Sequence, residues 1–66
     1  MVAKRLKELR IEKGLSQKEL SELTGIPQAT IARYELGKTE PIASTIVTLC
    51  DFFGVSADYL IGRQDW

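Results

Sequence analysis

Glycine occurs five times in this chain, at Gly14, Gly25, Gly37, Gly54 and Gly62, and each closes a stretch whose apolar residues recur at helical spacing. A chain punctuated in this way forms several short helices and no long one. Strand signals are scarce. β-Branched residues are scattered, and no run of alternating apolar and polar residues exceeds four. The first stretch, residues 2–13, places Val2, Leu6 and Leu9 on one face, with Lys4, Lys7, Glu8, Glu12 and Lys13 around the rest. Gly14 then supplies a left-handed stop. Ser16-Gln17-Lys18-Glu19 reads as a capping box: the Ser16 oxygen accepts from the Glu19 amide and the Glu19 carboxylate reaches back. A second helix follows to about Thr24, with Leu20 and Leu23 facing inward.

Gly25 ends that helix, and a third begins two residues later with Pro27 at its leading edge, where a missing N–H costs nothing. It spans about 28–36. Ile31, Tyr34 and Glu35 fall on one side of it, and Gln28, Ala29, Ala32 and Arg33 on the other. Residues 38–41 connect it to a fourth helix, apolar at Ile46, Leu49, Cys50 and Phe53 and closed by Gly54. Ser56 caps a short fifth helix, 57–61. The expected architecture is therefore all-α, a compact five-helix domain occupying residues 1–66, with connectors of the lengths usual between neighbouring helices.

Composition removes several function classes. There is no histidine and only one cysteine, so neither a Cys/His zinc finger nor an intramolecular disulfide is available. Cys50, with no basic neighbour, reads as a core residue rather than a reactive thiol. No nucleophile–base pair, metal-ligand cluster or phosphate-cradling glycine loop is present, so an enzyme is not expected and no cofactor is implied. No apolar run approaches a membrane span, and the basic N-terminus lacks the apolar block of a signal peptide. A cytoplasmic location is the default expectation.

Net charge is zero, but it is unevenly placed. Residues 1–39 carry a balance of +3 and residues 40–66 a balance of −3. One end is thus suited to meet phosphates. The second and third helices, joined by a tight glycine-containing turn at about 17–36, have the layout of a helix-turn-helix. The outer face of the third has the chemistry of a base reader. Gln28 pairs a donor with an acceptor, as adenine requires; Arg33 is a bidentate donor suited to guanine; Ala29 can meet a thymine methyl.

Gly14-Leu15-Ser16-Gln17-Lys18-Glu19-Leu20, then Gly25-Ile26, Ile31, Glu35, Gly37-Lys38 and Pro41, resemble the Cro/repressor helix-turn-helix family, the XRE type that includes the lambdoid phage repressors. Gly54-Val55-Ser56 and Leu60-Ile61-Gly62 extend the resemblance over nearly the whole chain. It implies a lambda-repressor-like fold and a sequence-specific double-stranded DNA-binding regulator of repressor type. Such a regulator would bind a palindromic operator as a homodimer, with the recognition helix, about 28–36, in the major groove.

Position by position, the resemblance implies base contacts for Gln28, Ala29, Thr30 and Arg33, and backbone contacts for Gln17, Lys38 and Thr39. Arg10 is implied to pair with Glu35 and also to face phosphate. A dimer interface is implied at the last helix, through Ala57 and Tyr59, with Leu60, Ile61 and Trp66 as the apolar surplus beside them. Four positions depart from the family pattern. Ser21 is expected to return its hydroxyl to a carbonyl one turn back; Pro27 and Ile42 leave helices three and four without a polar cap; and Leu36 is apolar where a polar residue is common. A rival reading of the same fold is a protein-interaction module, as in an antitoxin or the docking domain of a larger regulator.

Overall fold

The computed structural model describes residues 2–63. Every regular element among them is helical: α1 (Val2–Glu12), α2 (Gln17–Thr24), α3 (Gln28–Glu35), α4 (Ala43–Phe53) and α5 (Ala57–Leu60). The helix ends are written locally. All five glycines have positive φ, and Gly25 and Gly54 show the usual consequence. In the left-handed conformation each turns its N–H back onto a carbonyl of the last turn, Ser21 and Cys50 respectively. The capping box at α2 is complete. Glu19 N donates to Ser16 Oγ at 3.0 Å, and Ser16 N donates to Glu19 Oε1 at 2.8 Å. The bond from the Ser16 backbone N–H, with the Ser16 hydroxyl adding to it, holds the Glu19 carboxyl below its ordinary titration range. Ser56 caps α5 in the same sense, accepting from Tyr59 N at 3.0 Å. Pro27 and Ile42 provide no side-chain cap to α3 and α4.

One core joins all five helices. α1 packs on α3 and α5, α2 on α3 and α4, and α4 on α5, giving a body of 27 × 23 × 19 Å. Leu6, Leu20, Ile31, Leu49 and Leu60, one from each helix, are fully buried. Val2, Leu9, Ile26 and Tyr34 complete the hydrophobic core cluster, and Cys50, Phe52, Phe53 and Tyr59 pack partly buried against it. Burial pushes the Cys50 thiol above its ordinary range, with the Asp51 charge adding to the effect. Two cations lie over aromatic rings at the edge of this core: the Arg5 guanidinium is 4.4 Å from the Tyr59 ring centroid, and the Lys13 ammonium 5.6 Å from that of Phe52.

Three sequence expectations change. Leu23 is not inward: it is 61% exposed. α2 ends one residue later, and the chain returns to the core at Ile26, which takes the buried place instead. Ser21 makes no hydroxyl bond to the preceding turn; Thr24 Oγ1 does so, donating to Leu20 O at 2.7 Å. Leu60, expected on a subunit interface, has no exposed surface. On a four-residue helix its side chain points into the chain's own core, so it has nothing to offer a partner.

Leu60→Ala should cost about 2–5 kcal/mol, read as a fall in the urea midpoint with little change in slope; a change below about 0.5 kcal/mol would show the α5 contact to be dispensable. The capping box should be sensitive to acid. A carboxylate held ionised by bonds present only in the fold favours the fold above its ordinary range, near pH 4.5, and loses that contribution as pH falls through its lowered value. Amide exchange at Ser16 and Glu19 should accelerate over that fall. Glu19→Gln, whose amide oxygen still accepts, should remove the pH dependence.

Candidate nucleic-acid interface

The three residues linking α2 to α3 leave no slack, so the direction of α3 is set by α2. The inner side of α3 is fixed by burial of Ile31 and Tyr34. With a 3.6-residue period Ala29 and Arg33 fall opposite that buried pair, while Gln28, in the open first turn three residues before Ile31, stands at the flank; all three are exposed. Thr30 is half-buried, its backbone N–H donating to Pro27 O at 3.0 Å. Past the helix, Gly37 N donates to Tyr34 O and Lys38 N to Arg33 O, both at 3.0 Å. This doubly bonded turn delivers Lys38 and Thr39 to the surface beside the end of α3, where both are exposed. Arg33 and Lys38 have no ion-pair partner among the described residues.

Beneath this face lies a polar tie between three helices. Arg10 Nε donates to Glu35 Oε2 at 2.7 Å and Arg10 Nη2 to Glu35 Oε1 at 3.0 Å. Nη1 donates to Leu15 O at 2.7 Å, in the turn before α2. Gln17 Nε2 adds a bond to Glu35 Oε1 at 3.1 Å. The side chains of Arg10 and Glu35 are only 13% and 4% exposed, and the bond to Glu35 holds the guanidinium above its already high range. Arg10 and Gln17, both expected to meet phosphate, are therefore anchored to Glu35, a link for Gln17 that no sequence spacing signalled. Beside the tie, Lys7, Arg10, Gln17, Ala32, Glu35 and Leu36 line an open groove of about 340 Å³. Lys7 did not stand out in the sequence, where it was one charge among several on the solvent side of α1.

The residues expected at a subunit interface lie elsewhere, on α5 and just after it. Ala57 is exposed, and Tyr59 and Ile61 are half-buried. Trp66 lies outside the described residues. No group of histidine, cysteine, aspartate or glutamate side chains that could hold a metal ion occurs among the described residues, and no helix there is long and apolar enough to cross a membrane.

Comparison with known proteins accords with this geometry. The helix-turn-helix family model matches residues 6–60. An SPbeta prophage-derived uncharacterized HTH-type transcriptional regulator of Bacillus subtilis, YonR, is 39% identical over 92% of this chain and 56% of its own length. The cryptic phage CTXphi transcriptional repressor RstR of Vibrio cholerae is 31% identical over 98% of this chain and 59% of its own. Among solved structures, a transcriptional regulator from Listeria innocua superposes with a TM-score of 0.86 at 31% identity, over the whole of this chain and 64% of that one. The chain spans 56% and 59% of the length of these two curated relatives, and less of others, down to 29%.

The tie makes a prediction about stability. Removing one partner alone, as in Glu35→Leu, strands a guanidinium that is largely out of water and should cost about 3–5 kcal/mol. Replacing both, Arg10→Met with Glu35→Leu, should recover most of that loss, because two apolar groups leave no charge to desolvate. Denaturant titration of the two single variants and the double variant checks this. Additive losses would show that the side chains do not act as a pair.

Proposed function

The chain belongs to the Cro/repressor (XRE-type) helix-turn-helix family, and on that footing we propose that it is a sequence-selective double-stranded DNA-binding transcription regulator of repressor type. The observation that carries this reading is the two-sidedness of α3. Ile31 and Tyr34 lock one side into the core, while Gln28, Ala29 and Arg33 stand exposed on the other. That face is uncharged apart from Arg33, so it can approach a duplex without carboxylate repulsion, and its side chains match the hydrogen-bonding edges of the major groove.

In this reading the helix-turn-helix unit, residues 17–36, lays α3 in the major groove. Gln28, Ala29, Thr30 and Arg33 meet base edges, and Gln17, Lys38 and Thr39 meet the sugar-phosphate backbone on either side. The backbone contacts supply most of the affinity and make it fall with salt; the base contacts select sequence. Two copies joined through the surface of α5, with Ala57, Tyr59 and Ile61, and Trp66 beyond them, would read the half-sites of a palindromic operator about 34 Å apart. The chain then works as a soluble cytoplasmic protein with no cofactor.

Selection of bound duplexes from a random pool, followed by titration at two salt concentrations, tests the proposal. The expected result is an enriched palindrome whose affinity falls steeply with salt. Absence of binding at both concentrations would favour a protein-docking role for the fold. Arg33→Ala should cost about 1–3 kcal/mol and relax the preference at one base position per half-site; an unaltered selected sequence would remove Arg33 from the readout.

A further inference from the structure

We propose that Leu36 is a specificity-determining residue that reads the C5-methyl group of a thymine by apolar contact in the major groove. The inference rests on the DNA-binding reading above and adds a residue to which that reading gives no role. Leu36 is 69% exposed. A lone exposed leucine signals nothing; its placement does. Leu36 follows Ala29 by two helical turns, so the two share a face, and that face lies opposite the buried Ile31 and Tyr34. The helical phase holds as far as Leu36. Its backbone is right-handed, with φ −85° and ψ −6°, and its N–H donates to Ala32 O at 3.0 Å. Gly37, with φ +73°, then turns the chain away. Leu36 is thus the last side chain whose direction α3 sets, and it points where Ala29 points.

The chemistry of that face selects the base group it can meet. Between Gln28 at one flank and Arg33 at the other, Ala29, Ala32 and Leu36 form an apolar strip at spacings of three and four residues. Among the groups on the major-groove edges, only the thymine methyl is apolar. The others are donors and acceptors, which an alkyl side chain would strip of water without pairing. Ala29 and Ala32 carry a single methyl each, and Ala32 is half-buried. Leu36 extends a branched alkyl group and is the member of the strip able to enclose a methyl. From Ala29 to Leu36 the helix rises about 10 Å, or about three base-pair steps. The methyl it reads therefore lies about three pairs from the base that Ala29 meets. Contact removes apolar surface from water on both sides, including leucine surface that the free protein leaves wet. One methyl buried in this way is worth about fourfold in affinity.

The experiment uses the whole chain and the selected duplex, with each thymine replaced in turn by uracil. Uracil keeps every hydrogen-bonding group of thymine and lacks only the methyl. Wild type should lose about fourfold in affinity at one thymine per half-site that Leu36→Ala does not distinguish from uracil. The loss at a thymine beside Ala29 should be the same in both proteins. Leu36→Met, still apolar and long, should keep the wild-type sensitivity. At the same pair, 5-methylcytosine should bind wild type more tightly than cytosine does, and bind Leu36→Ala no more tightly. A scan in which no thymine's sensitivity depends on Leu36 overturns the assignment. So does a Leu36→Ala variant weakened by one common factor on all thymine and uracil duplexes, because that places the leucine against the sugar-phosphate backbone. Wild-type protein that binds no duplex overturns the DNA reading itself, a separate outcome. Thermal melting confirms that each variant titrated is folded.

Discussion

The position of α3 depends on the carboxylate of Glu35. α3 is eight residues long, begins without a side-chain cap, and is too short to be stable in isolation. Burial of Ile31 and Tyr34 holds its middle. Its C-terminal end is held by Glu35, which accepts two bonds from Arg10 of α1 and one from Gln17 of α2, while Arg10 also reaches Leu15 O in the turn before α2. Three helices thus meet at a single carboxylate. A buried ion pair is a poor source of net stability, because desolvation offsets most of the attraction. Its contribution here is geometric: bidentate bonds at 2.7 and 3.0 Å define the direction of α3 relative to α1 more narrowly than apolar packing would.

What the sequence made legible follows from how local each signal is. Glycine stops and the Ser16–Glu19 box involve residues within one turn of each other, so composition and spacing suffice to place them, and the helix ends fall close to where they are expected. The inward faces of α1 and α3 were readable for a related reason: over two or more turns a helical period has a definite phase. α5 has four residues and therefore no phase to read. Tyr59 and Leu60 are adjacent and either could be buried, and only packing against α1 and α4 decides that Leu60 is buried and Tyr59 lies at the edge under Arg5. Leu23 fails differently. Its phase on α2 is adequate, but burial also requires a neighbour to cover it, and the chain reverses at Gly25 before one arrives.

The candidate interface shows the same division. Gln28, Ala29 and Arg33 could be assigned to an outer face because Ile31 and Tyr34 fixed the inner one. The anchoring of Gln17 by Glu35, at a separation of 18 residues, and the convergence of Lys7 on the same groove are tertiary facts. Lys7 looks like any solvated lysine until α3 is laid across α1. The charge asymmetry along the chain was a coarse guide to the same point, since it identified the basic half without saying which of its cations remain uncompensated after folding.

Zero net charge is compatible with nucleic-acid binding when the acidic groups are kept off the reading face. Asp51 and Asp58 lie on α4 and α5, which pack on α2 and α1 respectively, while the one carboxylate within α3 is matched by Arg10. At physiological salt, charges more than about 8 Å away are largely screened, so a bound duplex responds mainly to the cations lining the face it touches. Those are few: Lys7, Arg33 and Lys38 are exposed there without ion-pair partners among the described residues. A face with so few cations gives weak, salt-sensitive binding as a single unit. Linking two such faces makes the second contact intramolecular and raises avidity by orders of magnitude without any new contact. The sparseness of charge on α3 and its surroundings thus favours, within the proposed function, action in pairs, with selectivity assigned there to the amide and guanidinium of Gln28 and Arg33.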